Sequence, residues 1–140
     1  MPLELDSLKK AVAALQAVLA KSQESAFMGS LDDVARNVIR SGVIQHFEFT
    51  YELCWKFMKR WLETNISPTT ADGVTRRELF RLAAEQRLIT DVEEWMKHHE
   101  AHGRISQTYE PEIAAHVYSS VSAFARDAKY FLQTLEARND

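Results

Sequence analysis

Residues Arg40 to Lys56 read RSGVIQHFEFTYELCWK, and this stretch decides the fold. Apolar side chains recur here at helical spacings and continue to Leu62, and they cover most of the circumference of a helix. The pattern predicts a long second helix that begins after Ser30 and runs to about Thr64. Its apolar members are Ile44, Phe47, Phe49, Tyr51, Leu53, Cys54, Trp55, Phe57, Met58, Trp61 and Leu62.

This second helix is more apolar than one core-facing stripe requires. A helix that is apolar nearly all round is buried nearly all round, and we expect a small bundle to be unable to cover it alone. An exposed aromatic patch would be a liability, so we expect a symmetric homodimer through this helix, involving Trp55, Phe57 and Trp61. Gly42 lies inside the helical stretch at a cost of roughly 1 kcal/mol relative to Ala, which indicates a kink or close helix packing.

The rest of the chain also has helical periodicity, and no window alternates long enough to predict a strand. A first helix carries a stripe from Leu5 to Leu19, with Asp6 as its expected N-cap. The sequence predicts a single domain over residues 1–140. Its expected fold is all-α, an antiparallel up-and-down four-helix bundle with a short extra helix. The later predicted segments are a loop over 65–74 and helices over 75–86, from 91 to about 101, and from 111 to about 136.

Composition excludes several classes of protein. The net charge of −3 argues against a dedicated duplex-DNA binder, and we interpret Arg76, Arg77, Arg81 and Arg87 as a solvated helix face rather than a basic patch. The lone Cys54 excludes an internal disulfide and is expected to be buried and inert. The sequence has neither a bilayer-length apolar segment nor a signal-peptide pattern, so we expect no membrane association and a cytoplasmic location.

A narrow polar strip runs along the second helix through Gln45, Glu48, Glu52, Lys56 and Lys59. Glu48 and Glu52 are one turn apart and repel each other, so we expect a positively charged partner near them, for which Arg40 is a candidate. Two interpretations remain open at this point. The strip is either a salt-bridge ladder between helices, or a groove that binds a substrate or a partner protein.

Three histidines, His98, His99 and His102, raise the question of a metal site. Two histidines one turn apart supply only half of a zinc site, and no cysteine lies near them. We therefore predict no metal and no cofactor. The sequence also has no phosphate-binding loop, dinucleotide fingerprint or nucleophile elbow, so the chain lacks a convincing active site of its own.

The stretch from Arg40 to Lys56 resembles the signature helix of the nucleotidyltransferase substrate-binding protein family, a part of the HEPN group. The typical run of that family is close to R-D-x-x-I-Q-R-F-E-F-T-F-E-L-x-W-K. The order of helices agrees over nearly the whole chain, and the segment from Arg77 to Asp91 is similar as well. The resemblance implies a helical bundle whose partner is a small minimal nucleotidyltransferase, with nucleotide or RNA as further ligands.

Such pairs also resemble toxin–antitoxin modules in which the helical chain is a metal-independent ribonuclease. The family motif is close to A-R-N-x-x-S-H-T-Y, and residues 101–109 here read AHGRISQTY. His102 stands in place of the arginine, Gly103 in place of the asparagine and Gln107 in place of the histidine. Because glutamine cannot move a proton near neutral pH, the motif is degenerate. His102 and Arg104 remain the other candidates for catalysis.

Tyr109 matches the last position of that motif. The resemblance implies that it is an acceptor for a nucleotidyl group from the partner, and the alternative is a tyrosine that caps the start of the last helix. Two functions therefore remain open for the chain. The favoured one is a non-catalytic, dimeric partner subunit of a nucleotidyltransferase, and the other is a ribonuclease toxin that its partner neutralises.

Overall fold

The computed structural model describes residues 2–139 and is all-helical over that range, which confirms the predicted fold class. Six α-helices are present, with a short 3-10 helix before the last. Within the described residues no helix is long and apolar enough to span a bilayer. The elements are α1 (Asp6–Ser22), α2 (Ser25–Gly29), α3 (Asp33–Asn65), α4 (Arg76–Glu85), α5 (Val92–Gly103), the 3-10 helix (Ile105–Gln107) and α6 (Pro111–Ala137).

The long helix α3, predicted as the second helix, is the centre of the fold. It packs against α1 and α6, which also contact each other, and against α4 and α5. Phe47, Cys54 and Met58 are fully buried along it, so Cys54 has the inert environment that the sequence predicts. The apolar core therefore surrounds α3 on several sides, which explains why its sequence is apolar over most of its circumference.

The prediction that this small bundle cannot cover α3 by itself is wrong for most of the aromatic side chains. Phe57 and Trp61 are 1% and 5% exposed within the single chain. Trp55 is half-buried, and its ring lies beneath the Arg76 guanidinium at 3.8 Å. The large aromatic side chain that α3 does leave exposed is Phe49, at 60%.

Side-chain caps define the starts of three helices. Asp32 Oδ1 accepts a hydrogen bond from the Ala35 amide at 2.8 Å and begins α3. The Thr75 hydroxyl accepts from the amide three residues on to begin α4, and Asp91 does the same for α5. Asp6 is not the N-cap that we expected, because α1 already includes it and follows Leu5 without a side-chain cap.

The helices differ in number from the prediction. The additional one is α2, whose single turn is too short to produce a recognisable apolar period. The three long helices α1, α3 and α6 pack on one another, while α4 and α5 pack against each other and against α3. This arrangement brings the side chains of α5 and the start of α4 to one face of α3, where a polar cluster forms.

Two backbone positions differ from what the residue types predict. At Gly42 an added side-chain carbon would meet no atom within 4 Å, so the expectation of close helix packing there is wrong. Arg87 has a φ of 59°, in the left-handed region that usually takes glycine. It ends α4 in a Schellman turn, in which the Leu88 amide donates to the Ala83 carbonyl at 2.9 Å.

Candidate functional site

Glu52 is the centre of a polar cluster where α3 faces α5. Its Oε2 accepts a hydrogen bond from Trp55 Nε1 at 3.1 Å, and Lys56 Nζ lies 3.9 Å from the same oxygen. Its Oε1 lies 3.2 Å from His102 Nε2, within ion-pair distance. That nitrogen is buried and makes no hydrogen bond of good geometry, so we interpret the contact as an ion pair that forms when His102 is protonated.

Tyr51 and His99 extend this cluster. Tyr51 Oη lies 2.8 Å from His99 Nδ1, and the Tyr51 ring packs at 4.6 Å against the ring of His102. Burial raises the pKa of Tyr51 well above its usual value, although the positive charge of Arg76 opposes the shift. Burial lowers the pKa of His99, and Arg76 and His102 lower it further. At neutral pH the phenol therefore keeps its proton, and its O–H donates a hydrogen bond to Nδ1 of a neutral imidazole.

The polar strip predicted on α3 divides between two environments. Glu52 and Lys56 belong to the cluster just described, whereas Glu48 is exposed and has no ion pair with any described residue. Gln45 lies beside Phe49 in an open groove of about 510 Å³ between α1 and α3. The structure thus brings Glu52 together with His102, and it does not bring Glu48 and Arg40 into an ion pair.

Arg40 and Tyr109 lie in a second cleft, of about 570 Å³, formed by α3, the start of α6 and the residues before it. The Arg40 guanidinium is 5.9 Å from the centre of the Tyr118 ring, and Asn37 and Thr108 also line the cleft. Tyr109 is 79% exposed. No side chain caps α6, whose N-cap residue is Glu110, so the alternative role of Tyr109 as a helix cap is wrong.

The three candidates for ribonuclease chemistry do not form one constellation. His102 faces inwards toward Glu52, whereas Arg104 and Gln107 lie exposed on either side of Ile105. Among the described residues no side-chain hydrogen bond joins any two of these three. Within the described residues, His102 is the one of the three with a carboxylate within ion-pair distance, that of Glu52.

The three histidines likewise do not converge on one point. His98 Nε2 lies 2.6 Å from Asp127 Oδ2 of α6, while His99 and His102 face the tyrosine and the glutamate of α3. His99 directly follows His98 and therefore points to a different side of α5. His102 lies one turn beyond His98, but its ring contacts Tyr51 of α3 and not Asp127.

Sequence reasoning misses the aromatic and basic members of the two sites, Tyr51, Trp55, Arg76 and Tyr118. Tyr51 and Trp55 read as core residues, because an aromatic side chain on an apolar helix is indistinguishable from core in the sequence. The sequence places Arg76 on a solvated face, but its guanidinium covers an indole ring instead. The one feature of the sequence that could have pointed to these residues is the spacing of four between Tyr51 and Trp55, which places both on one face of α3.

Comparison with known proteins agrees with this fold. A family model described as nucleotidyltransferase substrate binding protein like matches residues 3–137. A curated Haemophilus influenzae protein named probable ribonuclease HepT is 28% identical over 138 residues, covering 98% of this chain and 94% of the relative.

Two solved structures are similar. One, from H. influenzae and described as the fold of a substrate binding domain of a nucleotidyltransferase, superposes with a TM-score of 0.91 at 26% identity, covering 95% of this chain and 99% of that one. A Thermus thermophilus protein superposes with a TM-score of 0.64 at 24% identity over 86% of this chain and 98% of its own, and supports the fold alone. Because the family model spans nearly the whole sequence, the chain belongs to the nucleotidyltransferase substrate-binding protein family.

Proposed function

We propose that this chain is the non-catalytic partner subunit of a two-component nucleotidyltransferase system in the cytoplasm. The observation that carries the proposal is the cleft in which Arg40 lies with Tyr109. A guanidinium binds phosphate oxygens through charge-assisted hydrogen bonds, and an exposed phenol is a chemically competent acceptor. The cleft therefore combines a phosphate-binding group with an accessible nucleophile.

The transfer that we propose ends on Tyr109. Its Oη attacks the α-phosphorus of a nucleoside triphosphate held by the partner, a new P–O bond forms, and the bond to pyrophosphate breaks. The phenolic proton passes to a base of the nucleotidyltransferase, and pyrophosphate leaves. Arg40 stabilises the negative charge that develops on the phosphoryl oxygens. The carboxylates that bind the catalytic metal ions belong to the partner.

The test is to incubate the purified chain with labelled ATP and a purified minimal nucleotidyltransferase, taken from the neighbouring reading frame if that frame encodes one. We expect label on the wild-type chain and none on Tyr109→Phe, with a reduced rate for Arg40→Ala. Tyr130→Phe is the matched control, because Tyr130 is 47% exposed on α6 and does not line the cleft. Equal labelling of Tyr109→Phe and the wild type would refute Tyr109 as the acceptor.

We further propose that the functional unit is a homodimer through the exposed face of α3. Phe49 stands beside a groove whose floor includes Ala11 and Ala14, and in a two-fold arrangement each phenylalanine fills the groove of the other copy. Lys10 lines the same groove and Glu48 precedes Phe49, so opposite charges are available at the rim. This interface differs from the one expected from the sequence, which used side chains that the single chain already buries.

The second candidate function is that of a ribonuclease toxin. It is favoured by the relative named as a probable ribonuclease and by the Glu52–His102 contact, in which a carboxylate holds an imidazole in place. Under this hypothesis the purified chain cleaves RNA without a divalent metal, and His102→Ala abolishes the cleavage. Absence of cleavage by the unmodified chain favours the partner-subunit function.

A further inference from the structure

A separate cluster of metal-binding side chains lies between α5 and α6. Glu94 and His98 are one turn apart on α5, and Asp127 comes from the facing side of α6. One ligand atom from each lies within 4.8 Å of the others. None of these residues belongs to the Glu52 cluster or to the Arg40–Tyr109 cleft.

The imidazole in this cluster is held rigidly. His98 is 2% exposed, and its ring packs edge-on against Trp95 at 5.3 Å and Phe124 at 5.2 Å. Its Nε2 lies 2.6 Å from Asp127 Oδ2. The side chains of Asp127 and Glu94 are 35% and 39% exposed, so the carboxylates reach solvent while the histidine does not. An ion approaching from water thus meets a fixed nitrogen ligand behind two accessible oxygen ligands.

We propose that Glu94, His98 and Asp127 bind a divalent transition-metal ion, with Zn²⁺ the best match. Zinc binds histidine nitrogens together with carboxylate oxygens, and three protein ligands leave a position for water. An imidazole ligand disfavours Mg²⁺ and Ca²⁺, which require oxygen. The two carboxylates balance the charge of the ion. The metal takes the place of the hydrogen between His98 Nε2 and Asp127 Oδ2. A neutral imidazole then carries its hydrogen on Nδ1, whereas an imidazolium would release one proton to solvent.

The other charges near the cluster are compatible with this ion. Lys97 Nζ lies 3.3 Å from Glu94 Oε1, but both groups are solvated and such a pair is easily broken. The other oxygen of Glu94 is free of that contact. Asp91 binds the backbone amide of Glu94 as the helix cap, so it fixes the start of α5 and does not compete for the metal. A bound ion would link α5 to α6 and stabilise the folded chain by mass action.

The experiment uses the full-length chain without a histidine tag, freed of metal by a chelator and then titrated with ZnCl₂ by calorimetry, with melting temperature measured in parallel. We expect one ion per chain and a higher melting temperature with zinc. Loss of a group that only orients a ligand costs about 10- to 100-fold in metal affinity, so loss of the ligand itself in Glu94→Gln should weaken binding by at least about tenfold and reduce the shift in melting temperature. Glu93→Gln is the matched control, because Glu93 is the neighbouring carboxylate and pairs with Arg77 instead.

Asp127→Asn should also lose zinc binding. Asp127→Asn also removes the hydrogen-bond partner of the buried His98 and could therefore prevent folding. If it does, the result for Glu94→Gln decides the test. No zinc binding by the wild type would overturn the proposal. So would an equal affinity in Glu94→Gln and Glu93→Gln, which would indicate adventitious binding at surface groups.

Discussion

Replacing Phe49 by serine should dissociate the proposed homodimer while leaving the fold of each chain intact. The side chain is 60% exposed and lies beside the groove formed with Ala11 and Ala14. Because it is outside the core, its loss should change the stability of the isolated chain little. Any large effect should therefore appear in association.

The size of that effect follows from the exposed area. A phenylalanine side chain has about 200 Å² of apolar surface, so 60% exposure leaves roughly 120 Å² available to a second copy. At about 25 cal/mol per Å² this is near 3 kcal/mol per copy, or about 6 kcal/mol for a two-fold interface. The ordering of interface side chains and the desolvation of polar groups offset part of this free energy. We therefore expect Phe49→Ser to raise the dimer dissociation constant by about two to three powers of ten.

Sedimentation velocity over a concentration series measures this directly. The wild-type chain should sediment near twice its 16.1 kDa mass at micromolar concentration, and Phe49→Ser should be monomeric there. Ile66→Ser is the matched control, because Ile66 is 49% exposed and lies away from the groove. A monomeric wild type, or equal behaviour of the two variants, would refute the proposed interface.

Three further outcomes are expected. Glu52→Gln should lower the melting temperature by roughly 3 to 5 °C, because it removes the charge that faces His102, while Glu48→Gln should leave it unchanged. Thermal denaturation measures both, and a lower melting temperature for Glu48→Gln than for Glu52→Gln would contradict the site as described. Purified wild-type chain should not cleave RNA with or without divalent metal, and His102→Arg combined with Gln107→His is the most direct route to a gain of activity, measured on a labelled RNA. Because the folded state lowers the pKa of His99 below its usual 6.5, the unfolded chain binds that proton more readily, so stability should be fully present above about pH 6.5 and fall as the pH drops below it. His99→Gln should flatten this acid loss in a series of denaturant titrations, and an unchanged slope would show that other groups cause it.

The helical fold is predictable because its determinants are local. The apolar period of α6 and the capping residues Thr75 and Asp91 each specify an element within a few residues. What the sequence does not specify is how α3 is covered. That depends on side chains distant in sequence, such as Arg76 stacking on Trp55 and Arg138 lying 4.6 Å from the Trp61 ring, and no periodicity in α3 contains this information.

The sequence predicts several residues of the candidate site, but it does not predict which of them lie together in space. Glu52 and His102 attract attention for separate reasons, and only the packing of α3 on α5 brings them together. Likewise Arg40 and Tyr109 line one cleft because α3 passes the start of α6. Helical spacing relates residues on one helix, but it does not determine which faces of two helices meet.

Gly42 and Arg87 are two positions at which a substitution should make the chain more stable. Gly42 lies in a helix with open space around it, where a residue with a side chain is more stable. Arg87 has a left-handed backbone conformation, which glycine adopts more readily. Gly42→Ala and Arg87→Gly should each add about 1 kcal/mol to the free energy of unfolding. A chain carrying both changes would be a reinforced background in which otherwise fragile variants, such as Asp127→Asn, stay folded long enough to be assayed.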